Sequence, residues 1–381
     1  MLHFTPEEFA VRHGRMESEL DSRGLDGMLI FAPESQYWLT GYDTFGFCFF
    51  QCLVIGGNEP VLLTRSADLR QAELTSIIGD IRIWKDGRDA RPESDLANLI
   101  RELGLANKRL GIEFDTHGLT YRNGLKVSEA LAGLVELVDA SNLFPALRLV
   151  KSEAEIAYVR KAAELADDAL EAGLEHVVPG GSESRILAAM QGAVFAGGGD
   201  YPGNEFIIGS GEHALLCRYS SGRRNLSPVD QLTLEWAGVY RHYHAAMMKT
   251  VVVGEPTPYQ RSLHASVREA LAKSEGRLVP GARMGDVYDA HRLSLDAHGL
   301  SESRLNACGY SLGARFSPSW MDPQMFYEGA KTVIQPGMVF FLHMIVMDSA
   351  NQTAMCLGRT SLVNANGPEP LSSYPLDLIV R

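Results

Sequence analysis

The sequence predicts an α+β protein of two domains, a layered α/β domain followed by a larger domain of paired helices and antiparallel strands. Three observations carry that expectation. Over roughly the first 140 residues, short apolar runs alternate with amphipathic helical stretches, as in a parallel or mixed sheet with helices on its faces. Turn-forming residues then cluster around 140–151, with Asp139, Ser141, Asn142 and Pro145, which marks a junction. Beyond residue 205 the strands come in pairs separated by pairs of helices, the pattern of an α+β domain. The expected domains are 1–145 and 150–381.

The first helix is expected over 5–24, with Thr5 as N-cap, Pro6 at the first helical position and Glu8 three residues after the cap. The run Gly27 to Phe31 suits a buried strand. Strands are expected at 37–40, 49–55, 60–64, 80–84, 109–112 and 134–138, and helices near 66–77, 93–104 and 119–131. After the junction, Ser152 with Glu155 forms a capping-box signature for a helix reaching about 176. A second helix over 182–196 stops at Gly197. Strands follow at 205–209, 231–240 and 245–253, helices at 257–276 and 284–298, and strands at 306–312, 338–346 and 353–363.

Of the 381 residues, 45% are hydrophobic and 22% charged, with a net charge of −12. Nucleic acid and anionic membranes call for a basic face, so neither is an expected partner. The five cysteines, Cys48, Cys52, Cys217, Cys308 and Cys356, are widely spaced and odd in number, which argues for reduced thiols. No apolar stretch reaches the length of a membrane span, and the N-terminal residues lack a signal-peptide core. The expected location is the cytoplasm.

WLTGYD at 38–43 resembles the N-terminal domain of the creatinase and prolidase family, and the later order of helices and strand pairs resembles that family's pita-bread domain. Within it the chain is most similar to the ectoine hydrolase and creatinase branch. LTGYDTFGFCFFQC at 39–52, GGDYP at 198–202, LEWAGVYRHYHAAMMKT at 234–250 and GYSLGARFSPSW at 309–320 carry the likeness. The peptidases of the family hold two divalent ions with two Asp, one His and two Glu, a donor set suited to cations bridging a hydroxide. Carried over position by position, those ligands fall on Trp236, Ala246, Tyr310, His343 and Arg359. The resemblance thus implies a site with no metal and no other cofactor.

The creatinase and ectoine hydrolase branch cleaves C–N bonds by side-chain chemistry. On that resemblance the catalytic candidates are Glu235, as nucleophile or base, and His244, as proton shuttle. The branch's catalytic His falls at Arg218 in SGEHALLCRYSSG, and guanidinium cannot act as a base. Arg218, Arg315, Arg359 and His343 map to the family's inner surface. Guanidinium forks there favour a carboxylate-bearing, anionic or zwitterionic small molecule, unless they pair with internal acids such as Glu235, Asp200 or Glu205. His242 is expected on the same face as His244 if the strand is regular. Tyr201, Tyr240, Tyr243, Tyr310, Phe316 and Trp320 form either an aromatic cage or ordinary core. Tyr42 and Asp43 resemble residues that enter the neighbouring subunit's site in creatinase-like dimers, which implies a homodimer. The leading expectation is a metal-independent hydrolase of a non-peptide C–N bond. The alternatives are an Xaa-Pro aminopeptidase or dipeptidase, and a non-catalytic ligand-binding protein of the same fold.

Overall fold

The structure is a computed structural model describing residues 2–57, 59–218 and 221–381. It divides into two compact units, 1–148 and 149–381.

The first unit runs α1 (Pro6–Ser22), β1 (Gly27–Ile30), α2 (Pro33–Thr40), β2 (Cys52–Ile55), β3 (Val61–Arg65), α3 (Leu69–Thr75), β4 (Asp80–Trp84), α4 (Pro92–Glu102), β5 (Arg109–Ile112), α5 (Tyr121–Leu131), β6 (Glu136–Asp139) and α6 (Leu143–Leu149), the last helix ending at the boundary. Its six strands form one sheet in the order β4-β3-β2-β1-β5-β6. β1 lies antiparallel to β2 and parallel to β5, so the sheet is mixed. The Thr5 hydroxyl accepts from the Glu8 N–H at 3.3 Å, as the cap signature requires.

Residues 37–40, expected as a strand, are instead the last turn of α2. The cause lies about eighty residues away. The buried Glu113 carboxylate accepts from Phe31 N–H at 3.0 Å, Ala32 N–H at 2.7 Å and Ser35 O–H at 2.6 Å. It ties the backbone entering the helix to the Ser35 hydroxyl of its first turn, at a helix start that carries no side-chain cap of its own. Aromatic and β-branched residues that locally favour a strand are overridden by this long-range acceptor.

The second unit runs α7 (Glu153–Leu174), α8 (Glu183–Ala196), β7 (Ile207–Ser210), β8 (Asp230–Tyr240), β9 (Tyr243–Val253), α9 (Pro258–Glu275), α10 (Met284–Ala297), β10 (Gly309–Ser311), β11 (Val339–Asp348), β12 (Thr353–Asn364), β13 (Gly367–Pro370) and β14 (Ile379–Val380). The Ser152–Glu155 capping box closes on α7. The sheet order is β10-β11-β12-β9-β8-β7, with β13 added to β12 and β14 to β9.

Helices α7 and α9 pack on one face of this sheet. Directly paired residues project to the same face, so the register sorts the strands into a helix side and an open side. Trp236 donates its indole N–H to Ala166 O of α7 at 2.8 Å, which marks the helix side. Glu235, one residue earlier, therefore projects to the open side. The pairings Glu235–Met248, Met248–Gly358 and Gly358–His343 run that row across four strands.

Candidate functional site

A cleft of about 610 Å³ lies on the second unit, with Tyr201, Asn204, Ile207, Arg218, Ser319 and Met321 on its walls. Ile207 sits directly opposite Glu235 in the β7–β8 register. This sets Glu235, only 7% exposed, next to Ile207 of the cleft wall.

Two segments build the walls. The loop between β7 and β8 carries Arg218, and its feet are held by the buried Glu183 of α8. That carboxylate accepts from Ser210 N–H at 2.9 Å and Ser210 O–H at 2.7 Å, and from the Arg223 and Arg224 N–H groups at 3.2 Å each. The second segment follows β10. Trp320 N–H donates to Asn204 Oδ1 at 3.1 Å. Gly203 packs so tightly that a Cβ there would lie 2.8 Å from Ser319 O and Trp320 N.

Glu235 is the buried carboxylate of this region. Burial pushes its pKa up from 4.5 to about 7, while the Arg218 charge and a hydrogen bond from Tyr310 pull the other way. Tyr310 Oη lies 3.5 Å from Glu235 Oε1 and accepts the Trp320 indole N–H at 2.8 Å. β8 and β10 are four strands apart in the sheet order, roughly 19 Å in a flat sheet. Their side chains meet because the sheet curls over its open face. The Tyr310, Phe341 and His343 rings, with centroids 5.4–5.7 Å apart, fill the curl.

His244 does not join Glu235. Both project to the open side, but His244 pairs with Val239, four residues along β8, about 13 Å away. The imidazole is buried, and its Nε2 accepts Gly203 N–H at 2.9 Å. Burial drives its pKa down to about 3, with His242 as the next cause. It is a neutral strut beneath the cleft strip, which corrects the proton-shuttle expectation.

His242 is not a strand residue. With Arg241 it forms the two-residue β8–β9 turn, both at positive φ (49° and 65°). The period-two argument fails there, and its ring stacks on Phe316 at 4.1 Å. Tyr240 and Tyr243 face the helix side. Tyr240 packs on Tyr158 at 5.7 Å, and Tyr243 donates to Glu155 at 2.7 Å. Arg359 is also on the helix side, bidentate to Glu275 at 2.7 Å and 2.7 Å. Arg315 braces its own loop, donating to Ser319 O at 3.3 Å, with Asp322 3.8 Å away. Tyr201 is 82% exposed at the cleft rim and packs edge-on against Phe195. Among the described residues, Arg218 alone of the three expected arginines has no ion-pair partner within 4 Å; its charge is felt at Glu235, Tyr310 and His343. Tyr42 and Asp43 belong to the first unit, where Tyr42 is buried in the core and Asp43 lines a separate recess.

The register also corrects two of the positions carried over for metal ligands. Trp236 and Arg359 face the helices, so the open-side positions are Glu235 and Gly358. The complete set is then Glu235, Ala246, Tyr310, His343 and Gly358. Ala246 and Gly358 offer no side-chain donor. A Cβ at Gly358 would lie 2.6 Å from Leu342 O and 2.9 Å from the Phe341 ring, so the position has no room for a ligand. His343 is buried and its pKa falls to about 3, with nearby His291 as the next cause after burial. One carboxylate, one imidazole and an engaged phenol do not fit a pair of divalent ions. Among the described residues no group of three or more His, Cys, Asp or Glu is placed to hold one.

Two contributors have no mark in local sequence. Cys217 lies close enough to Glu235 for the carboxylate to raise its thiol pKa, second to burial. Asn204 holds Trp320. Trp320 itself stood out only as one aromatic among several; the fact that indole N–H is solely a donor is what gives it a role.

The profile of metallopeptidase family M24 matches residues 157–364, and that of the creatinase/prolidase N-terminal domain matches 12–150. Ectoine hydrolase of Halomonas elongata is 27% identical, with 100% of this chain and 99% of that protein aligned. The uncharacterized hydrolase/peptidase y4tM of Sinorhizobium fredii is 29% identical over the same shares of the two chains. Among solved structures, the prolidase of Thermococcus sibiricus superposes with a TM-score of 0.89 at 19% identity, covering 99% of this chain and 100% of that one. Dipeptidase PepE of Mycobacterium ulcerans gives 0.85 at 22% identity, covering 99% of each chain. At such identities the structural likeness speaks to the fold.

Proposed function

The chain belongs to metallopeptidase family M24, and we propose that within it this protein is a metal-independent hydrolase of a non-peptide C–N bond in a small carboxylate-bearing compound. The observation that carries the reading is the isolation of Glu235. It is a single buried carboxylate with a pKa near 7, set where metal-dependent relatives need several acids. Such a group takes a proton from water, or attacks directly, near neutral pH.

Arg218 at the cleft wall supplies the anion-binding end. The substrate carboxylate pairs with its guanidinium, while the scissile C–N bond lies inward against Glu235 and Tyr310. The likeness to ectoine hydrolase supports a compound of the ectoine type as the substrate.

The test is a turnover screen of such compounds with protein dialysed against a chelator. Hydrolysis that survives dialysis and disappears in Glu235→Gln supports the reading. Activity that requires added manganese, zinc or cobalt refutes it. Arg218 and the engaged His244 also favour a second reading, a ligand-binding protein without catalysis. That predicts thermal stabilisation by the same compounds with no product. We further propose a homodimer in which Asp43 approaches the partner's cleft, while Tyr42 stays packed in the core of its own unit. A monomeric mass in sedimentation equilibrium would remove that part.

A further inference from the structure

We propose that Trp320 is a positioning residue of this site: its indole N–H fixes the direction of the Tyr310 hydroxyl proton, so that Tyr310 serves Glu235 as a donor. The inference rests on the reading of Glu235 as the reactive carboxylate. It adds the device that sets that group's hydrogen bonding.

Indole nitrogen donates and cannot accept. At 2.8 Å it fills an acceptor site on Tyr310 Oη. The phenol has one proton, and the other polar neighbour within reach is Glu235 Oε1 at 3.5 Å. With the indole donating from one side, that proton is directed to the carboxylate. Burial raises the Tyr310 pKa further, and the Glu235 charge adds to this, so the proton stays on the phenol.

The 3.5 Å separation exceeds the usual O–H···O range of about 2.5–3.0 Å. The contact is therefore loose, leaving the donor free to tighten onto the carboxylate or to turn to a charge developing on substrate. Trp320 is in turn held by Asn204 Oδ1 at its backbone and by the strip at Gly203, which His244 secures. The orientation of one proton is thus built into the cleft wall.

Other ionisable groups around Glu235 are Arg218 and Cys217 from the loop after β7, Cys356 from β12 and Tyr310 from β10. Trp320→Phe leaves all of them in place and removes the N–H together with part of the buried ring.

The test does not need a substrate. Infrared difference spectra against pH report protonated carboxyl groups, and the band missing in Glu235→Gln is that of Glu235. In Trp320→Phe the midpoint of this band rises by roughly 0.5–1 pH unit, because an unpolarised phenol stabilises the anion less. In Tyr310→Phe it rises at least as far. A midpoint in Trp320→Phe that superimposes on wild type overturns the proposal, whatever happens to stability. If that variant does not fold, an unmoved midpoint in Tyr310→Phe overturns it equally, as does the lack of any Glu235-dependent band. A failed turnover screen counts against the hydrolase reading and leaves this titration unaffected.

Discussion

Glu235 and His244 share one face of the eight-stranded sheet, yet the antiparallel register sets Met248, not His244, opposite the carboxylate. The imidazole serves Gly203 instead. His244→Ala leaves that buried N–H without an acceptor and lowers the unfolding free energy by roughly 1–3 kcal/mol in denaturant titration. The sign of its pH dependence follows from its depressed pKa, about 3 when folded against 6.5. Its contribution is whole above 6.5 and is lost as pH falls from there towards 3. Wild type therefore loses stability on acidification more steeply than His244→Asn. Parallel denaturation curves at all pH values would contradict the strut assignment.

Glu235 behaves in the opposite sense. Its folded pKa of about 7 lies above the unfolded value of 4.5. The stabilisation is complete below 4.5 and disappears as pH rises through 7. Relative to Glu235→Gln, wild type loses up to roughly 3 kcal/mol between about pH 4 and pH 8. Turnover rises over the upper part of that range, because the reactive form is the anion. Glu235→Gln lowers kcat by about 10²–10⁴-fold. Denaturant titrations of both proteins across that range check the stability difference, and stopped assays across about pH 5–9 check the turnover.

Restoring an acid at position 358 does not rebuild a metal site. A Cβ there meets Leu342 O at 2.6 Å, so Gly358→Glu costs about 1–3 kcal/mol through overpacking. Manganese or cobalt leaves the melting temperature of both wild type and Gly358→Glu unchanged. A metal-dependent rise in either one, followed by calorimetry, would count against the donor-set argument.

The two arginines Arg218 and Arg359 separate cleanly. Arg218→Gln raises KM for a carboxylate substrate by about tenfold or more, the loss of a charge-assisted hydrogen bond. It also moves the activity midpoint upward, since its charge holds the Glu235 pKa down. Arg359→Gln leaves KM alone and destabilises the protein, because Glu275 loses its bidentate partner. Steady-state kinetics beside melting curves distinguish the two effects.

The local chemistry of the chain determined which elements form. Thr5, Ser152 and Glu155 cap helices through neighbours three residues away. Apolar residues mark β8 and β9 as buried strands, and LEWAG placed an acid in one of them. These features depend on interactions spanning a few residues. Tertiary structure decided the rest. Whether residues 37–40 coil or extend depended on Glu113, far off in the chain. Whether Arg359 entered the cleft depended on strand parity, since a shift of one residue exchanges the two faces of a sheet. Tyr310 reached Glu235 only because the sheet curls, bringing together strands four places apart. Register and curvature are properties of many contacts at once, and no single segment of sequence carries them.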